Sequence, residues 1–125
     1  MSWESSEEFS KQIDGLPARI QTRFEWDQEL SQLDAFRVKL EYNSSRGWQP
    51  IAVIPHSNPA RDDLPDVLSQ GICVYLYRDG QIKYMRREVD SDRIQGTDPS
   101  ICMILSVRRL NEIAPRLIQT YNQWE

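Results

Sequence analysis

The sequence predicts an α+β fold: a single domain with a twisted antiparallel sheet of about five to six strands, and helices at the N- and C-termini packed mainly on one face. Three observations lead there. The stretch Ile72–Val89, ICVYLYRDGQIKYMRREV, consists of two β-branched and aromatic runs closed by Asp79-Gly80, a hairpin signature. Two earlier segments alternate apolar and polar residues with period two. Each of these strands has one apolar side, which requires helices on that side only. At 125 residues the chain has the length of one domain.

Ser5–Ile13 starts with Glu7 and Glu8 and ends with Lys11, an order that suits a helix dipole. Trp3, Phe9, Ile13 and Leu16 recur at roughly helical spacing, and Gly15 and Pro17 stop the run, so a short amphipathic helix is expected. Ala18–Trp26 alternates strictly, with Ile20, Thr22, Phe24 and Trp26 on one side: a half-buried strand. Asp27–Asp34 is a polar connection. Phe36–Tyr42 alternates as cleanly, and Asn43–Gly47 is a turn cluster. Trp48–Pro55 reads as a third strand, and Pro50, unable to donate to a ladder, marks it as an edge or a bulge. His56–Gly71 is rich in loop formers, with a short helix expected from Asp62 or Asp63 to Gln70 and Pro65 in its first turn.

The hairpin register decides which side chains are free. A two-residue Asp79-Gly80 loop places Tyr77 opposite Ile82 and mixes apolar and charged residues on both faces. A three-residue bulged loop, Arg78-Asp79-Gly80, pairs Leu76 with Ile82 and Val74 with Tyr84. It gathers Ile72, Val74, Leu76, Ile82 and Tyr84 on one face and leaves Cys73, Tyr75, Tyr77, Lys83, Met85 and Arg87 on the other. The cleaner segregation favours the bulged loop. Asp90–Ser100 is a second loop. Ile101–Val107 is a continuous apolar run of strand length and reads as a buried strand. A helix capped near Asn111 follows, which keeps Pro115 in its first turn. The alternative reads Asp98-Pro99 as the cap and first residue of one longer helix.

Charge narrows the function. The formal net charge is −4, and residues 36–61 hold Arg37, Lys39, Arg46 and Arg61 against Glu41 alone, whereas residues 1–35 carry eight acids and three bases. An acidic total without concentrated Lys and Arg excludes non-specific nucleic-acid binding. No apolar run approaches a bilayer span, and the N-terminus lacks a signal-peptide core, so a cytoplasmic protein without membrane contact is expected. Cys73 and Cys102 sit in apolar runs as reduced thiols, and one His with two isolated Cys makes no zinc cluster. No cofactor is expected. His56-Ser57 with Asp62-Asp63 contains the residue types of a nucleophilic triad, but the sequence around the serine has no strained elbow. Asp62, Asp63 and Asp66 lack the alternation and glycine of a calcium loop.

The candidate site is the outward face of the hairpin. Tyr75, Tyr77, Met85 and Arg87 combine rigid aromatic area, an adaptable thioether and a guanidinium, the composition enriched in interfaces; Trp48 joins them from beside the turn. Arg86, Arg87, Arg108 and Arg109 form a second group, which salts a rim. The expected function is a non-catalytic protein-binding module that self-associates and docks a peptide segment of a partner, on this face or by strand addition along Trp48–Ile54. A small-ligand sensor with a pocket between sheet and helices is the alternative, and a hydrolase using His56 is a third reading.

Three stretches carry a resemblance: EEFSKQIDGLP (Glu7–Pro17), GICVYLYRDGQIKYMRREV (Gly71–Val89) and ILSVRRLNEIAPRLIQTYNQWE (Ile104–Glu125). They resemble the amphipathic first helix, the central hairpin and the last strand with its aromatic-ended helix in the YbjN and type III secretion chaperone-like family. The resemblance implies a small acidic homodimer that binds a segment of another protein without catalysis.

Overall fold

Alternating residues build the sheet, and one long helix closes it. The computed structural model describes residues 6–27, 32–57, 67–94 and 96–123. Its elements are β1 (Ser6–Gln12), β2 (Ala18–Asp27), β3 (Gln32–Ser44), β4 (Gly47–Ser57), a single helical turn α1 (Val67–Gln70), β5 (Ile72–Arg78), β6 (Gln81–Val89) and α2 (Pro99–Gln123). The six strands form one antiparallel sheet in chain order. Its α+β class and antiparallel sheet are as the sequence predicts. Among the described residues no helix is long and apolar enough to cross a membrane.

The register lines up the core in rows. Ile20, Leu40, Ala52 and Leu76 are successive neighbours across β2, β3, β4 and β5. Thr22, Val38 and Ile54 form the next row, and Phe24, Phe36 and His56 the one beyond. Helix α2 covers this face with Cys102, Leu110, Ala114 and Leu117 buried against it. Removing this apolar area from water is the main stabilising term of the fold.

Four expectations are corrected. Ser5–Ile13 was expected to be helical, but its described part is strand β1, so among the described residues the sheet carries no N-terminal helix. A run this short is too weak a helix alone, and β2 offers it an open ladder, with Phe9 opposite Thr22 and Lys11 opposite Ile20. The first of the three family-like stretches therefore differs from a helix. Second, Ile101–Val107 is not a strand but the start of α2. Asp98 caps that helix, accepting the Ser100 N–H at 2.8 Å on Oδ1, with Pro99 as its first residue.

Third, β4 is not an edge but an interior strand between β3 and β5, with β5 paired to it at Ala52 and Val53 in the middle of the stretch expected to take an added strand. Pro50 marks a bulge instead, where the β3–β4 register shifts between Leu40 and Glu41. Fourth, the hairpin uses the two-residue turn: Asp79 and Gly80 both have positive φ, 54° and 78°, as a type I′ turn demands. That turn places Tyr77 opposite Ile82, and a register shift at Leu76/Tyr77 then sets Leu76 opposite Tyr84. This leaves Ile72, Val74 and Leu76 in the core and moves Ile82 to the outer face. The expected helix start at Asp62 or Asp63, and Asp66, Trp3 and Trp124, lie outside the described residues.

Candidate functional site

Four of the five residues singled out from sequence meet on the outer side of the hairpin, away from α2. Tyr75 is directly opposite Met85, and Cys73 is opposite Arg87. Tyr77 lies one pleat further on the same side, opposite Ile82. Ile82 belongs to the patch, although the three-residue register assigns it to the core. Ile82 is 54% exposed and Met85 48% exposed, and the two tyrosines are half-buried between them and β4. Val53, paired with Tyr75, supplies the buried floor. Burial, reinforced by the nearby Cys73 and Tyr77, holds the Tyr75 phenol above its ordinary pKa of 10.0.

Trp48 is engaged differently. The Arg19 guanidinium of β2 lies 4.1 Å from its ring centre, and Arg19 Nε donates to Glu41 Oε1 at 2.7 Å. This Trp–Arg–Glu stack ties the sheet's outer face together beside the β3–β4 turn. A second tie joins the two turns, with Arg46 Nη1 3.4 Å from Asp79 Oδ1.

On the opposite face, at the other edge of the sheet, a groove of about 370 Å³ runs between β1 and the first half of α2. Phe9, Ile20, Met103, Ile104 and Val107 make its walls, with Lys11, Arg108 and Asn111 as its polar groups. Ile104 is 57% exposed and Phe9 49% exposed. The sequence hid this groove, because it joins a strand read as helix to a helix read as strand.

The arginine group separates into three roles. Arg108 lines the groove and Arg87 stands on the outer hairpin face. Arg86 and Arg109 converge instead on Glu88, whose side chain is almost wholly buried, and Arg116 approaches the same carboxylate. This clasp ties β6 to α2, and only the fold brings its members together.

His56 lies in the core. Its Nδ1 accepts the Val67 N–H at 3.1 Å, and its ring packs on Phe36 with centroids 5.1 Å apart. The buried ring thus holds the start of α1, and Asp62 and Asp63 lie outside the described residues. Cys73 and Cys102 are buried and are not joined in a disulfide. Among the described residues no group of three or more His, Cys, Asp or Glu could hold a metal ion. The chain matches no protein-family model, no curated protein and no solved structure.

Proposed function

We propose that this protein is a non-catalytic, chaperone-like binding module of the cytoplasm that docks an apolar segment of another protein on the outer face of the β5–β6 hairpin. The observation that carries the reading is the cross-strand cluster of Tyr75, Met85, Tyr77 and Ile82, which leaves two large apolar side chains about half exposed beside Arg87. Aromatic area with a thioether and an arginine supplies anchors at low entropic cost. Arg87 selects for an acidic residue flanking the apolar segment. Docking proceeds through side chains rather than by adding a strand to β6. That edge is bulged twice and carries Lys83, Arg86 and Arg87, devices that blunt strand pairing. Of the resemblance to the YbjN and type III secretion chaperone-like family, the hairpin and the C-terminal helix keep the form it implies, and on those two stretches it favours a role of this kind.

A photo-crosslinking residue at position 85 tests the proposal in living cells, with position 46 beside the β3–β4 turn as control. The expected result is a discrete protein adduct from position 85 that Ile82→Ser with Arg87→Glu abolishes. Adducts identical from both positions overturn it.

A second reading is favoured by the groove between β1 and α2, whose size falls in the range of small-molecule sites. It is a ligand sensor for an apolar molecule with an acidic group, which Lys11 and Arg108 would meet. A concentration-dependent rise in unfolding temperature with aliphatic carboxylates supports it, and no rise across the panel removes it.

A further inference from the structure

The two edges of the sheet are built differently. The β5–β6 ladder shifts register twice, between Ile72 and Cys73 and between Leu76 and Tyr77, so its outer strand is kinked. The β1–β2 ladder runs from Ser6 to Gln12 without a shift. β1 therefore presents the regular edge, with no strand on its outer side among the described residues, a template for another strand.

We infer that this edge binds β1 of a second copy, antiparallel about a two-fold axis at Phe9, to give a continuous twelve-stranded sheet twice the six strands of one chain. This surface is independent of the hairpin face proposed above. A two-fold axis normal to the sheet keeps the same face on the same side in both copies, so each residue meets one of its own pleat. Three centres lie in the middle of β1. Centring on Glu8 opposes Glu8 to its own copy, two like charges. Centring on Ser10 opposes Phe9 to Lys11. Centring on Phe9 stacks Phe9 on its own copy and sets Glu7 across from Lys11 twice, once on each side of the axis. The sequence SEEFSKQ is thus complementary to itself in charge and in apolar position.

The monomer leaves Phe9 and Lys11 available. Phe9 is half exposed, its inner edge meeting Phe24 in an edge-to-face contact with centroids 6.3 Å apart. Lys11 is exposed, sits opposite the apolar Ile20, and makes no ion pair among the described residues. Pairing β1 with its copy satisfies the free backbone groups of both edges and puts an acid opposite each Lys11. It also brings the two grooves to the same side of the sheet, flanking the axis.

Charge reversal tests this with a built-in rescue. Mass in solution is measured by light scattering and sedimentation over a range of concentrations for the full chain, Glu7→Lys, Lys11→Glu and the double swap. The natural chain is expected to dimerise. Each single reversal places like charges opposite one another at two positions and should weaken the dimer on the order of tenfold. The double swap restores opposite charges and should return the dissociation constant to near its original value. Unfolding midpoints verify that every variant is folded. A natural chain that stays monomeric overturns the inference. So does a dimer indifferent to all the reversals, which would be assembled elsewhere, and so does a double swap no tighter than either single variant.

Discussion

Arg109 reaches across from α2 to β6 and holds Glu88 with two nitrogens, Nε at 3.0 Å and Nη2 at 2.9 Å from the same carboxylate oxygen. Arg86 Nε lies 3.0 Å from the other oxygen, and Arg116 Nη2 approaches at 3.7 Å. The acid is sealed while its cations are not: the Glu88 side chain is 2% exposed, against 38% for Arg109 and about half for the other two. The core side chains of α2 lie over β2 to β5, and this clasp ties the exposed outer strand to the helix.

Replacing Glu88 by Gln keeps the shape and removes the charge, leaving three arginines clustered without it. A charge-assisted hydrogen bond contributes about 1.5–3 kcal/mol. The partly solvated guanidiniums hold the expected loss to about 2 kcal/mol, below that of a fully buried pair. The urea midpoint should fall at unchanged slope. Arg109→Met should cost more than Arg116→Met, in the order of their distances. A Glu88→Gln loss under about 0.5 kcal/mol would reduce the clasp to an ordinary surface pair.

Thr22 carries the opposite defect. It is fully buried opposite Val38 on the helix-covered face, and its Oγ1 has no hydrogen-bond partner among the described residues. An unsatisfied buried hydroxyl costs about 1–3 kcal/mol. Thr22→Val exchanges that group for a methyl of similar shape and suits the strand as well. The unfolding free energy should rise by about 1 kcal/mol. No gain, or a loss, would mean that the hydroxyl is satisfied in solution.

Tyr75 gives the hairpin face an alkaline signature. Its pKa is raised in the folded protein, chiefly by burial, so the native state keeps a proton that the unfolded chain releases near pH 10.0. The stability this proton contributes is complete below the unfolded value and is lost as pH rises through the folded one. Tyr75→Phe has no such proton, and its stability should fall less steeply than that of the natural chain above about pH 10. Urea unfolding of both proteins across the alkaline range checks the difference. Parallel curves would show that Tyr75 is solvated.

β2 and β3 were legible because their burial alternates. Ile20, Val38 and Leu40 are buried while both chain neighbours of each are exposed or half-buried, and period two follows directly. The two ends were not. In β1 every described side chain from Glu8 to Gln12 is exposed, so no alternation marks it, and the partial helical spacing of Phe9 and Ile13 misleads. In Ile101–Val107 an apolar run of strand length belongs equally to a buried strand and to a helix with apolar residues beyond its buried face. Pro115 argued for the strand, yet it stands exposed inside α2, where the surrounding contacts of Ala114, Leu117 and Ile118 override its roughly 3 kcal/mol penalty. Of the candidate site, composition found Tyr75, Tyr77, Met85 and Arg87. Ile82 was assigned to the core because segregation of the faces favoured a three-residue turn; the two-residue turn sets it opposite Tyr77, and the bulge beyond it, which returns Tyr84 to Leu76, leaves no mark in composition.

Gly71 and Gly80 flank β5 and share a left-handed backbone, with φ of 86° and 78°, but their surroundings differ. At Gly71 a Cβ would meet the Val89 carbonyl oxygen at 2.2 Å and the Ser91 nitrogen at 3.1 Å, both backbone atoms of the chain leaving β6. At Gly80 nothing lies within 4 Å. Gly80→Ala should therefore cost only the left-handed strain, about 1–2 kcal/mol. Gly71→Ala adds a clash that only a shift of the β5–β6 pairing relieves, and its cost should exceed about 3 kcal/mol. Urea unfolding of the two variants separates the contributions. Equal losses would mean that the close approach of Gly71 to Val89 is relaxed in solution, and with it the start of the hairpin that carries the binding face.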